Sequence, residues 1–175
     1  RVNFNSMDLA GGVDSFDARM DNREQQLGIL ESLFHNRKLA DETWLSGQPV
    51  EKGWVSSQYG MRTDPFSGSR TMHNGIDFAG KEGSNVLAVA AGIVTWTGSE
   101  SGYGNMVEIS HGDGFVTRYA HNKQNLVAPG DLVRKGDPIA LVGTTGRSTG
   151  AHVHYEVFKH GRSVDPSSYL RRTRR

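Results

Sequence analysis

The chain has 175 residues with 35% hydrophobic content, 22 glycines and no cysteine, which allows one domain plus an appendage and excludes a disulfide framework. Few apolar residues and many glycines argue against a helical bundle and for a β-rich fold with tight turns. Formal net charge is +1, yet the tail Arg171-Arg172-Thr173-Arg174-Arg175 supplies four positive charges, leaving 16 basic against 19 acidic residues and no basic surplus for nucleic acid.

Residues 1–13 are polar, broken by Gly11-Gly12, and read as a flexible segment. From Asp14 the pattern changes. Phe16, Met20, Leu27, Leu30, Leu33 and Phe34 recur at helical intervals and predict an amphipathic helix over about 15–40. Asp14 or Ser15 caps its start, and Gly47 with Pro49 ends any continuation through Leu45, giving a helical spacer over 14–47. Its stripe reads as packing on the domain or on upstream sequence, with a partner-binding arm as the other reading. The chain begins at Arg1, so it reads as a fragment or processed product with room for a membrane anchor upstream.

After Pro49 the helical period disappears. Residues 54–62 read as a short strand into a turn, and Asp64-Pro65-Phe66-Ser67-Gly68 as a loop. The stretch 86–97 is apolar and β-branched with Gly92 inside it, predicting a single strand with a bend or bulge. Residues 105–110 and 115–121 flank His111-Gly112-Asp113-Gly114, a hairpin signal. Pro129-Gly130 turns the stretch 126–133, residues 138–142 make a buried-type strand, and 151–159 close the set. The fold class is therefore mainly β, an antiparallel sandwich or barrel-like domain over 50–170, with the helical segment before it and the basic tail 171–175 after it.

Chemistry concentrates in Thr71-Met72-His73-Asn74-Gly75-Ile76-Asp77 and in Ala151-His152-Val153-His154-Tyr155-Glu156. Strand alternation sends His152, His154 and Glu156 to one side, and Val153, Tyr155 and Val157 to a core. Any one of these histidines is accounted for by a backbone hydrogen bond. Together, a His with an Asp four residues on and a His-x-His supply the lone pairs a divalent metal needs. No HExxH helix is present, so the common zincin base is missing.

With His73-x-x-x-Asp77, Tyr119-Ala120-His121 and His152-x-His154 in order, the chain resembles the lysostaphin/LytM-type zinc metallopeptidases over about 53–170. Tyr59-Gly60-Met61-Arg62, Gly102-Tyr103-Gly104-Asn105 and Gly143-Thr144-Thr145-Gly146 belong to the same likeness. The 14–47 segment is similar to the spacer of Gram-negative members, which have an N-terminal anchor and a coiled region. The resemblance implies one Zn2+ on His73, Asp77 and His154, a catalytic pair of His121 and His152, and a LytM-type fold. It also implies an endopeptidase that cuts peptide cross-links of peptidoglycan in the periplasm or cell envelope. Stem peptides are then the substrate, and a cell-division or amidase-type protein is the expected partner of the helix.

Three protein ligands leave a fourth position for a water that the ion activates. One of His121 and His152 would take that water's proton, and the other would donate to the oxyanion or leaving amine; the order stays open. Glu156 shares their face and is expected to orient an imidazole from behind. Asn74, Asn105 and the Thr144 to Thr149 loop, Thr145 above all, are expected substrate contacts, each equally compatible with ordinary turn chemistry. The resemblance implies a D-Ala to diaminopimelate bond as the expected target in a Gram-negative source, and a glycine bridge otherwise.

Three other readings are weaker. The phrase APGDLVRKGDPIALVG is similar to biotinyl and lipoyl carriers, but Lys135 lacks flanking methionines and the hairpin tip has no lysine. Iron(II) oxygenases use two His and a carboxylate, usually two residues apart where here the gap is four, and two further histidines would be unexplained. A zinc-stabilised adaptor binding peptidoglycan or an amidase would have no use for intact His121 and His152. Autoinhibition by the N-terminal segment is a further expectation, read out by trimming to about Val50.

Overall fold

The computed structural model describes residues 20, 23–24, 26–32 and 42–170. The chain forms two compact units, Arg1–Asp41 and Glu42–Arg175. In the first, the described residues are helical, with Leu27, Ile29 and Leu30 exposed. The expected flexible segment 1–13, the cap at Asp14 or Ser15, the stripe positions Phe16, Leu33 and Phe34, and the basic tail lie outside the described residues.

The helix does not run on to Gly47. Residues 43–47 are bends and irregular backbone, and Leu45 is buried in the core of the second unit. The Ala91 amide donates to the Glu42 carbonyl at 2.7 Å, so this stretch is built into the β domain. Leu45 satisfied the helical period by coincidence of spacing; its burial lies elsewhere.

The second unit strings together β1 (Trp54–Ser57), β2 (Gly60–Thr63), β3 (Arg70–His73), β4 (Ile76–Ala79), β5 (Asn85–Leu87), β6 (Gly92–Glu100) and β7 (Gly104–Gly112). There follow β8 (Phe115–Asn122), β9 (Gln124–Asn125), β10 (Leu132–Val133), β11 (Pro138–Leu141), β12 (His152–Lys159), β13 (Arg162–Val164) and a helical turn, Ser167–Leu170. An eight-stranded antiparallel sheet runs β1-β4-β12-β8-β7-β6-β10, with β13 on β12; β5-β11-β9 form a small sheet and β2-β3 a hairpin. The antiparallel β architecture is the one expected.

Register explains the two faces of the large sheet. Val153 pairs with Phe78, Tyr155 with both Ile76 and Tyr119, Val157 with Thr117, and Tyr119 with Val107. These side chains are buried in one cluster with Val86, Ile139 and Val142. On the other face the same strands bring His154 opposite Asp77 and Glu156 opposite Arg118. A one-residue slip would exchange the two sets, so burial of the apolar face fixes the polar one.

The β7–β8 hairpin turns at Asp113 and Gly114 with φ of 48° and 75°, the left-handed pair that a two-residue primed turn requires. Residues 86–97 are not a single bent strand. They split into β5 in the small sheet and β6 in the large one, joined through buried Ala88, Val89 and Ala90. The Ala88 amide donates to the Asp137 carbonyl at 3.0 Å, so the apolar run passes between sheets by bonding to a loop.

Candidate metal centre and active-site cavity

Sequence places His73 at the end of β3 and Asp77 inside β4, with Asn74-Gly75 between them. The link crosses β12 closely: a Cβ on Gly75 would stand 2.5 Å from the Tyr155 carbonyl oxygen and 2.8 Å from His154 Cε1. Only glycine lets β3 fold back and set His73 against β12.

Three donor atoms converge there. His73 Nε2 lies 3.1 Å from Asp77 Oδ1, His154 Nδ1 lies 2.7 Å from the same oxygen, and the two nitrogens are 3.1 Å apart. All three residues are buried. A tetrahedral ion with bonds of about 2.0–2.2 Å spaces its ligands by roughly 3.3 Å, close to this triangle.

Each donor is oriented from behind. His73 Nδ1 donates to the Gln58 carbonyl at 2.7 Å, which leaves Nε2 as a lone pair. His154 Nε2 faces Glu156 Oε1 at 3.1 Å, which leaves Nδ1 inward. Arg62 donates to Asp77 Oδ2 at 3.1 Å, which leaves Oδ1 for the centre. Burial would raise the Asp77 carboxyl, but the imidazoles of His154 and His73 hold it well below the usual carboxylate range. Burial would likewise lower His154, yet the Asp77 and Glu156 carboxylates carry it up to about 9. The point thus demands positive charge. A proton on His154 serves one contact; a divalent cation serves all three donors.

His121 and His152 stand beside this triangle, their ring centroids 4.7 Å apart, with His121 5.8 Å from His154. Alternation from Tyr119 would send His121 to the core side. Its φ of 63° breaks the alternation, and its amide donates to the Tyr103 carbonyl at 2.8 Å. That strained left-handed residue puts the imidazole on the metal face. His121 Nδ1 donates to the Thr145 carbonyl and His152 Nδ1 to the Gly150 carbonyl, each at 2.8 Å, so both present Nε2 as a lone pair. His152 Nε2 is 3.8 Å from Asp77 Oδ1. Burial pushes His121 down to about 4 against the Thr145 bond, so it is neutral at neutral pH and able to accept a proton.

A cavity of about 220 Å³ is lined by Met72, His73, Asn74, Gly102, Tyr103, His121, Arg147, His154 and Glu156, while Asp77 and His152 are not among its lining residues. Of the expected substrate contacts, Asn74 lines it. Asn105 and Thr145 do not: Asn105 Nδ2 donates to the Asn122 carbonyl at 3.1 Å, and Thr145 Oγ1 accepts from the Asn105 amide and donates to that same carbonyl. Both hold residues 143–146 against the end of β8.

Sequence reasoning assigned no role to Arg62 or Tyr103, whereas Arg147, inside the loop 144–149 expected to touch substrate, lines the cavity. Tyr103 donates to Glu156 Oε1 at 3.1 Å and packs its ring 5.8 Å from that of His154. Arg62 and Tyr103 sit within stretches quoted for the resemblance; what no spacing reveals is which atoms they touch.

Comparison with known proteins now bears on the cluster: the profile described as peptidase family M23 matches residues 71–166, more than half of the chain. The chain belongs to peptidase family M23. This M23 chain is 41% identical over 132 residues to the DD-carboxypeptidase/endopeptidase Mpg of Neisseria meningitidis, covering 75% of the chain and 30% of the relative. It is 40% identical over 119 residues to the peptidoglycan DD-endopeptidase ShyA of Vibrio cholerae, covering 67% and 28%. A crystal structure of a zinc-containing peptidase from Vibrio cholerae matches at TM-score 0.63 and 39% identity, covering 67% of this chain and 37% of that one. The chain thus spans about three tenths of the curated relatives' length. The lysostaphin/LytM-type likeness and the metallopeptidase class read from the motifs are borne out.

Proposed function

We propose that this M23 domain is a zinc-dependent endopeptidase that hydrolyses peptide cross-links of bacterial peptidoglycan. The observation that carries the reading is the triangle of His73 Nε2, Asp77 Oδ1 and His154 Nδ1, each atom oriented by a partner on its far side. The donor set of two imidazoles and one carboxylate fits a catalytic zinc, and the zinc-containing structural neighbour supports it. When bound, the ion polarises water and the scissile carbonyl.

The chain's own groups do the remaining work. Of the two lone pairs at His121 Nε2 and His152 Nε2, one accepts the proton of the attacking water, and the other nitrogen, once protonated, serves the oxyanion or the leaving amine. The C–N bond breaks, the carbonyl carbon keeps the water's oxygen as a carboxylate, and the amine leaves with the relayed proton. Glu156 and Tyr103 hold His154 in place from behind. Asn74 borders the space the peptide would occupy.

Relatives named DD-carboxypeptidase/endopeptidase and peptidoglycan DD-endopeptidase favour a D-alanyl bond over a glycine bridge. They equally favour the periplasm or cell envelope as the place of action. No helix among the described residues is long and apolar enough to cross a membrane. Mass spectrometry of muropeptides after digestion of purified wall tests the proposal. New free amines at stem-peptide cross-links are expected, while products cut only in the glycan or at the lactyl-amide linkage would overturn it.

A further inference from the structure

A second cavity, of about 450 Å³, lies beyond Tyr103, whose side chain lines both it and the catalytic one. Its other walls include Thr95, Trp96, Glu100, Glu108 and Arg118. Strand register places it on the metal face of the large sheet: Trp96 pairs with Glu108, Glu108 with Arg118, and Arg118 with Glu156, the residue that holds His154. One transverse row thus joins the support of a metal ligand to an indole, across β12, β8, β7 and β6. At about 4.8 Å per strand the row is roughly 14 Å long, the reach of about four extended residues.

Trp96 belongs neither to the buried core nor to the side chains packed against it, and it is half-exposed. A Cβ on Gly98 would stand 3.0 and 3.1 Å from its Cζ2 and Cη2, so the benzene ring passes over bare backbone and the indole is laid along β6. The polar groups beside it are already matched. Glu108 Oε1 accepts from Thr95 Oγ1 at 2.7 Å and Oε2 from Arg118 Nε at 2.8 Å, and the guanidinium lies 4.5 Å over the Phe158 ring. That pair carries no net charge, and the remaining carboxylate, Glu100, is exposed to solvent. Charge alone is then a weak hold on a ligand here. A pyranose ring suits the pocket better, because its C–H face matches an aromatic platform and its hydroxyl and acetamido edge matches carboxylate, guanidinium and phenol groups.

We propose that this second cavity is a saccharide subsite, in which the Trp96 indole carries a sugar ring of the glycan strand that bears the stem peptide. The inference rests on the peptidoglycan-hydrolase reading above and adds a contact to the glycan, which that reading lacks. A stem peptide laid across the sheet face then has its scissile bond at the metal and its sugar-bearing end at Trp96.

The test uses the zinc-loaded 175-residue chain and two synthetic cross-linked stem-peptide dimers, one carrying an N-acetylglucosaminyl-N-acetylmuramyl disaccharide and one ending in a bare lactyl group. The wild type is expected to prefer the disaccharide dimer at least about tenfold in kcat/KM, with most of the difference in KM. Trp96→Ala is expected to bring that ratio to within about threefold of unity, and Trp96→Phe, which keeps an aromatic face, to fall between. A second arm needs no turnover: peptide-free disaccharide is titrated into nitrogen-labelled chain, and the Trp96 indole N–H signal, assigned by its loss in Trp96→Phe, should shift saturably while those of Trp44 and Trp54 stay in place. Equal wild-type rates on the two dimers, or an indole signal that does not move, overturn the inference while leaving the hydrolase reading intact. An unchanged ratio in Trp96→Ala, with both rates reduced alike, makes the pocket a peptide contact and overturns it in the same way. Cleavage of neither dimer by the wild type sinks the hydrolase reading, and the titration alone then decides the subsite.

Discussion

Asp77 shows how one residue is prepared for its task by neighbours distant in sequence. Arg62 occupies Oδ2 and the imidazoles of His73 and His154 face Oδ1, so the carboxylate has a single free direction. Replacing Arg62 by Met should leave that carboxylate free to rotate and weaken zinc binding about ten- to a hundredfold, as read by chelator competition. Unchanged affinity would mean that Arg62 only packs. His154→Ala is expected to lose metal and activity together. His121→Ala is expected to retain metal and lose turnover by about a hundredfold or more, as metal analysis beside initial rates will show. The donor types were legible because two short motifs carry them; the left-handed backbone at His121 was not, since no pattern of side chains announces a broken alternation.

Among the elements, the turn between β3 and β4 and the polar link beneath β6 bear most on stability. Gly75→Ala would force a methyl against the Tyr155 carbonyl and His154, and should cost about 1–3 kcal/mol in denaturant unfolding, with loss of zinc. His111 is buried, donates from Nδ1 to the Ala91 carbonyl at 2.8 Å and meets Thr117 Oγ1 through Nε2 at 2.8 Å. Burial lowers its pKa below 6.5. Its neutral form is therefore the folded one: the stability it lends is complete above that pH and is lost as pH falls below it. Between pH 7.5 and 5 the wild type should lose more stability than His111→Gln, by urea midpoints on both; parallel curves would contradict this. The β7–β8 hairpin and β12 were readable from turn residues and alternation. The division of 86–97 between two sheets was not, because an apolar run fits a strand of either sheet and only the loop carbonyl at Asp137 decides where the chain departs.

For the whole molecule, the boundary between the units falls at Asp41 and Glu42, and Leu45 and Val50 belong to the β core. Trimming to Glu42 should leave the fold of the second unit intact. Trimming to Val50 removes buried Leu45 and should cost about 2–4 kcal/mol, visible as a lower Tm. Equal melting of the two would remove Leu45 from the account. Any rise in activity on trimming is to be sought at Glu42, where the core is untouched. The β architecture was readable from glycine-rich turns at short intervals, whereas the recruitment of residues 42–50 was hidden by a helical period that ran straight across the boundary.

The central claim is that a single cation is shared by His73 Nε2, Asp77 Oδ1 and His154 Nδ1. Anomalous diffraction at the zinc edge from crystals of the zinc-loaded chain addresses it directly. One strong peak bonded to those three atoms at about 2.0–2.2 Å is expected. A peak ligated by His152 or His121 in place of His154, or none within reach of the three, would contradict it.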